Sequence, residues 1–368
     1  MNSAISTTAR RRTGWHRLPV TAVRHLTKEA VAVTLGIPDT LRETFAHEPG
    51  DHVVVRHRRG GEELRRSYSV CPPLEDPGTL RLVIKQGSPD GFGTYALTGL
   101  APGDHLELAP PTGTFRLPER PGAHHVLIAG GSGIAPLFAM ATHALRTDPV
   151  CRVSLVHSVP TAEDALLADE LAVLKDEFAD RIAVLHVLTR EDRPPLGGRI
   201  DATGLPRLLA ALDARPGPDT TFALCGPTGL TDLARTVLTD AGADPELVRS
   251  ELFTLGRDRN DTPAVRPAPE EPSTADGTRI TALYDGRRRV VTARPEDPAL
   301  LDTLLRDHAD VPYACREGIC GSCRAKVLDG EVATGPQYAL DAGQLADGYT
   351  LVCRATPLGA EVTVDFDA

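Results

Sequence analysis

The nine residues from Cys315 to Cys323, CREGICGSC, constrain this chain more than any other stretch. They place Cys315, Cys320 and Cys323 at the spacing Cys-x4-Cys-x2-Cys, and Cys353 follows thirty residues after the third. A [2Fe–2S] cluster needs four thiolates, two on each iron, and this is its plant-type spacing. Gly318 and Gly321 suit a loop whose backbone N–H groups must close on inorganic sulfide, where a Cβ would crowd the cluster. A zinc ribbon would offer two Cys-x2-Cys knuckles, and only one is present. The beginning of the sequence, MNSAISTTARRRTGW, lacks the apolar stretch of a secretory signal. A cytoplasmic location is therefore expected, with the seven cysteines kept reduced and available for a metal or cluster.

The flanks of this loop define a module over 277–368. RITALYDGRRRVVTA reads as a hairpin turning at Asp285-Gly286. PALLDTLLRDH sets Leu300, Leu301, Leu304 and Leu305 on one helical face, and EVTVDFD alternates as a final strand. The layout implied is a β-grasp-like ferredoxin. Ahead of it, 256–276 carries four prolines and many charges and reads as a tether. Residues 15–120 show short alternating strands such as DHVVVRH and TLRLVIKQ, which predict an antiparallel β-barrel. Residues 121–255 alternate apolar strands with helices, which predicts an α/β domain with a parallel sheet covered on both faces. Residues 1–14 are expected to be a disordered tail. The fold class is thus multidomain: antiparallel barrel, α/β parallel-sheet domain, α+β ferredoxin. The net charge of −10 speaks against nucleic-acid binding, and no apolar run reaches the ~18–20 residues of a membrane span.

RSYSV, residues 66–70, resembles the Arg-x-Tyr-Ser signature of the ferredoxin–NADP reductase superfamily. The resemblance implies that Arg66 neutralises a flavin phosphate, that Tyr68 stacks on the isoalloxazine ring and that Ser69 hydrogen-bonds near its reactive nitrogen N5. A guanidinium grips phosphate bidentately, and an aromatic face covers a planar ring. GFGTYAL is similar to the loop with which the family holds pyrophosphate, through backbone N–H groups at Gly93 and the hydroxyl of Thr94. FMN-dependent relatives usually carry an arginine in that loop; GSPDGFGTYAL has none, so FAD is expected.

LIAGGSGIAP joins a strand to a helix but is not the G-x-G-x-x-G fingerprint, because Pro136 stands where the last glycine would be. In the superfamily, glycines equivalent to Gly130, Gly131 and Gly133 let the backbone approach a dinucleotide. ALCGPTGL supplies Cys225, Gly226 and Pro227, which resemble the Cys-Gly-Pro motif beside the nicotinamide; a packed core thiol is the alternative for Cys225. SELF implies Glu251 and Phe253 against the flavin, with a core position open for Phe253. Arg190 and Arg199 are candidates for a 2′-phosphate. VHSV lacks an arginine common in NADP-binding relatives, so NADPH is expected with NADH open.

Beyond its tail, the chain resembles the reductase subunits of phenylacetyl-CoA epoxidases, above all in VPYACREGICGSCRAKVLDGEV and YALDAGQLADGYTLVCRATP. The asparagine usual before Tyr338 is replaced by glutamine, and RPPLGGRID is short. The module order implies a redox sequence. A nicotinamide gives two electrons at once, a [2Fe–2S] cluster carries one, and a flavin handles both. The implied catalytic set is Ser69, Cys225 and Glu251, and the implied partner is an oxygenase, of the diiron epoxidase kind. A Rieske or steroid hydroxylase partner and a non-catalytic electron-carrier module are the alternatives. Retention of the four cysteines, Arg66, Tyr68, Ser69 and the glycine loop speaks against the latter.

Overall fold

The alternating strands of the first third close into a barrel. In this computed structural model, which describes residues 14–59, 61–72, 78–191, 196–253 and 277–368, the barrel comprises β1 (His16–Thr27), β2 (Ala30–Gly36), β3 (His52–Arg59), β4 (Glu62–Cys71), β5 (Thr79–Lys85) and β6 (His105–Leu108). They run in the order β1-β2-β5-β4-β3-β6, every neighbour antiparallel. Val31, Val33 and Leu35 of β2 and Leu80, Leu82 and Ile84 of β5 fill its interior. The short helix α1 (Phe92–Thr98) buries Phe92 and Ala96 in the same core. In β4, residues two apart share a face, so Arg66 and Tyr68 lie together and Arg65 lies opposite.

The middle of the chain forms a five-stranded parallel sheet of β7 (His124–Gly130), β8 (Arg152–Val159), β9 (Ile182–Leu188), β10 (Thr220–Gly226) and β11 (Val248–Leu252), in the order β11-β10-β7-β8-β9. Helices α2 (Ile134–Thr147) and α3 (Ala168–Glu177) share one apolar core on one face; α4 (Gly204–Ala211) and α5 (Thr228–Asp240) share another. β7, β8 and β9 progress to one side, and the chain then returns to place β10 on the other. The reversal opens a crevice at the carboxyl ends of β7 and β10, where open α/β sheets bind ligands.

The last module is a mixed sheet of β12 (Arg279–Tyr284), β13 (Arg287–Thr292), β14 (Arg324–Thr334), β15 (Tyr349–Leu351) and β16 (Ala355–Asp365), in the order β13-β12-β16-β14-β15, with β12 and β16 parallel. The expected hairpin turn is present: Asp285 and Gly286 both have positive φ, 50° and 66°, as a type I′ turn requires. Helix α6 (Leu300–Arg306) buries Leu300, Leu301 and Leu304 on this sheet, with Leu305 half-buried beside them. The short helix α7 (Ala342–Ala346) begins in a capping box between Asp341 and Gln344. The tether and all of the tail but Gly14 lie outside the described residues.

Candidate functional site

A cleft of about 960 Å³ opens where the three modules meet, at the upper end of the size usual for ligand sites. One wall is β4 of the barrel, with Arg66, Tyr68 and Ser69. A second is the reversal point of the parallel sheet, with Gly130, Gly131, Gly226 and Pro227. Phe253, just after β11, closes that wall, and Cys315 and Cys320 of the cysteine loop form the third.

The glycines at the reversal point are required by contact. A Cβ on Gly133 would lie 2.1 Å from the Cys225 carbonyl oxygen, and one on Gly130 would lie 2.6 Å from Pro227 Cδ. The two loops therefore touch backbone to backbone and leave the cleft side open. Gly131 adopts φ 53°, and its carbonyl accepts a hydrogen bond from His157 Nε2 at 3.0 Å. His157 is fully buried, and burial pushes its pKa down to about 4, so the ring is neutral. With the proton on Nε2, it holds the glycine loop from beneath. Nothing in the local sequence marks this histidine, because only strand pairing brings it under the loop.

On the barrel side, Tyr68 stands 5.8 Å from Phe92, ring to ring, so the base of α1 steadies it. Arg66 donates to the Arg65 carbonyl at 2.8 Å; among the described residues no carboxylate pairs with it. A Cβ on Gly93 would meet the Lys85 carbonyl oxygen at 2.3 Å, which holds α1 tightly to the end of β5. Thr94 is not among the lining residues; its hydroxyl donates to the Ser88 carbonyl at 2.8 Å and shapes the loop from behind.

Ser69 is buried; among the described residues neither its Oγ nor Oε2 of Glu251 has a partner at hydrogen-bond geometry, although the hydroxyl lies near enough to the carboxyl to act on it. Ser69 lines the cleft and Glu251 does not; an orphaned buried polar atom in a cleft wall is what a bound polar ring would satisfy. Burial pushes the Glu251 carboxyl up to about 8; the Arg116 guanidinium and the Ser69 hydroxyl pull it down, and Asp51 pushes it up. Glu251 is therefore neutral near pH 7 and carries a proton. Arg116 is itself anchored to buried Asp51 at 2.5 Å. Asp51 and Arg116, remote from every motif, were not legible in the sequence.

Cys225 is fully buried in the core shared with α2 and does not line the cleft, the packed position that the sequence left open. Its carbonyl, not its thiol, meets the glycine loop. Of the two arginines considered for a 2′-phosphate, Arg199 lines the cleft and Arg190 is exposed outside it.

The four thiols of the cysteine motif, Cys315, Cys320, Cys323 and Cys353, fall into two pairs. The Cys315 and Cys320 thiols interact as one pair, which holds the Cys315 thiol below its ordinary range, and the Cys323 and Cys353 thiols interact as the other. Among the described residues no three His, Cys, Asp or Glu side chains surround one point. A mononuclear ion wants three or four ligands around a single centre, whereas two thiol pairs suit a cluster with two irons. Gly318 has φ 77°, and its Cβ would lie 3.0 Å from the Pro336 carbonyl oxygen. The loop is thus pinned under residues 336–339.

Known proteins agree with this geometry. Residues 17–117 match the oxidoreductase FAD-binding domain, 127–236 the oxidoreductase NAD-binding domain, and 283–358 the 2Fe-2S iron-sulfur cluster binding domain. One of the subunits of 1,2-phenylacetyl-CoA epoxidase from Escherichia coli K12 is 36% identical over 361 residues, 97% of this chain and 99% of its own length. The chain belongs to the three-module flavoprotein reductase family that includes this relative. The ferredoxin reductase component of 3-ketosteroid-9-alpha-monooxygenase from Rhodococcus rhodochrous is 30% identical, over 95% of this chain and 96% of that one. Phthalate dioxygenase reductase superposes with a TM-score of 0.56 at 21% identity, covering 96% of this chain and 98% of that structure, and so shares the fold.

The reductase is an NAD(P)H-dependent oxidoreductase that carries electrons through FAD and a [2Fe–2S] cluster to an oxygenase. When bound, FAD converts a two-electron hydride donor into single-electron transfers to the cluster. Among the described residues, no helix is long and apolar enough to cross a membrane.

Proposed function

We propose that the reductase draws electrons from NADPH and delivers them to a diiron phenylacetyl-CoA epoxidase in the cytoplasm. The observation that carries this reading is whole-length likeness: 36% identity through all three modules to one of the subunits of that enzyme. The residues have defined parts in it. Arg66 would neutralise flavin phosphate, and Tyr68 and Phe253 would cover the two faces of the ring. Ser69 would donate a hydrogen bond at the reacting edge, while Glu251 holds a proton behind it. Gly130, Gly131 and Gly133, braced by His157, would receive the dinucleotide. Arg199 would meet the 2′-phosphate. Cys315, Cys320, Cys323 and Cys353 would ligate the cluster.

The test is reconstitution. The purified reductase is mixed with the oxygenase components of phenylacetyl-CoA epoxidase, phenylacetyl-CoA and either NADPH or NADH, and oxygenated thioester is assayed. Product that depends on this chain supports the assignment. Rapid reduction of an artificial acceptor without product moves the partner to another oxygenase. The 30% identity to the 3-ketosteroid monooxygenase reductase component makes a steroid hydroxylase the next to try. Arg199→Ala should raise KM for NADPH and leave KM for NADH unchanged; equal effects would remove Arg199 from the phosphate site.

A further inference from the structure

Arg65 directly precedes Arg66, yet none of the flavin or nucleotide chemistry uses it. It is only 7% exposed, an unusual position for an arginine. Its partners explain where it went. Its Nε donates to Glu63 Oε1 at 2.8 Å, on its own strand. Its other contacts cross to the ferredoxin module: Nη2 donates to Asp310 Oδ1 at 3.1 Å and Nη1 to the Val311 carbonyl at 3.3 Å. Its guanidinium lies 4.1 Å from the centre of the Tyr313 ring and 4.7 Å from that of Trp15, and Trp15 Nε1 also donates to Asp310. Tyr313 is two residues before Cys315.

A second contact lies on the same side of the barrel. His52, paired in register with Ser69, meets Ser322 Oγ through Nε2 at 3.1 Å. Ser322 sits between Cys320 and Cys323 and is buried, as is His52. The strand that presents the flavin motif is thus tied to the segment just before the cysteine loop and its neighbour to the loop itself, one tie at each end of the Arg65–Ser69 segment.

We infer that Arg65 and His52 are positioning residues for electron transfer between flavin and cluster. They dock the cysteine loop against β3 and β4, so one electron leaves the reduced flavin and reduces the cluster within a fixed arrangement instead of after a diffusive search by a tethered module. The inference rests on flavin and cluster as the redox groups and is independent of which oxygenase receives the electrons. The planar guanidinium suits the task, because it donates in a fork while stacking on aromatic faces. The transfer rate scales with the fraction of molecules that are docked.

The experiment is single-turnover reduction of the full holoprotein by NADPH with no oxygenase present, following flavin absorbance and then cluster bleaching. Asp310→Arg sets a like charge against Arg65. It should slow the flavin-to-cluster phase by about tenfold, equivalent to about 1.4 kcal/mol of docking free energy. The flavin-reduction phase and the electron paramagnetic resonance signal of the reduced cluster should not change. Asp310→Glu should restore the rate, which a role in folding alone would not require. His52→Ala tests the second contact by the same readout. If cluster reduction keeps its wild-type rate in both Asp310→Arg and His52→Ala, the inference is wrong. If flavin reduction and cluster reduction slow in equal proportion, the defect is global and the inference is equally overturned.

Discussion

The barrel meets its two neighbours in different ways. Against the nucleotide domain it shares an apolar core: Ala30, Cys71, Val83 and Phe115 of the barrel pack in one cluster with Leu127, Ile134 and Leu137. Across the same boundary Arg81, 1% exposed, pairs with Glu170 at 2.6 Å, and Arg24 reaches the same carboxylate. Against the ferredoxin module the ties are polar and aromatic, and the apolar core of that module is its own. Burying apolar area is non-directional and cumulative, whereas a few directed contacts fix orientation and can be released. The first boundary is expected to make the barrel and nucleotide domain one folding body. The second aligns a module whose apolar core is complete without the barrel.

Cutting the chain tests this difference most severely. A fragment ending at Phe253 should be soluble, yellow and reducible by NADPH, whereas one ending at residue 120 should aggregate, because Cys71, Val83 and Phe115 lose their cover. A soluble, flavin-loaded barrel fragment would refute a shared core. Next in size is Glu170→Ala, which leaves the Arg81 guanidinium buried without its carboxylate. A loss of about 3–5 kcal/mol is expected for a broken buried pair, read by urea unfolding monitored through flavin fluorescence, with the ferredoxin transition unmoved.

Cys320→Ser should abolish cluster absorbance while flavin reduction by NADPH proceeds, since the ferredoxin core stands apart. Loss of flavin reduction as well would show that the second boundary carries folding energy. Glu251 gives a pH test within the shared body. Its carboxyl is raised from 4.5 to about 8, so the native state keeps a proton that the unfolded chain has released between those values. Stability should therefore fall as pH rises from about 4.5 to about 8 and level off above. Flavin reduction should likewise decline above about pH 8 if that proton is used. Glu251→Gln should flatten both profiles; a decline that persists assigns the titration to another group. The smallest effect is expected from Asp310→Asn, whose side chain is 54% exposed: thermal stability should change by at most about 1 kcal/mol.

Much of the site was legible because its parts are local. The cluster-binding module is written in cysteine spacing and loop glycines, and the nucleotide loop in a strand, three glycines and a helix. Barrel, parallel sheet and β-grasp followed from the periods of their apolar residues. What escaped was set by contacts between distant segments. Thr94 and Cys225 sit in the expected motifs, but their side chains face the loop and the core. Arg190 and Arg199 looked equivalent until the fold put one in the cleft. The tether read from the sequence lies outside the described residues, and it gave no sign that Arg65 and His52 contact the ferredoxin module.

The sequence by itself determined which cofactors this protein can hold and in what order, because binding a cluster or a phosphate needs particular groups within a few residues of one another. Only the tertiary structure decided how those cofactors are brought together. Arg65 and Asp310 are 245 residues apart and His52 and Ser322 are 270 apart. At such separations no local pattern marks a pair. Each contact exists because packing has already brought its two surfaces to the same place.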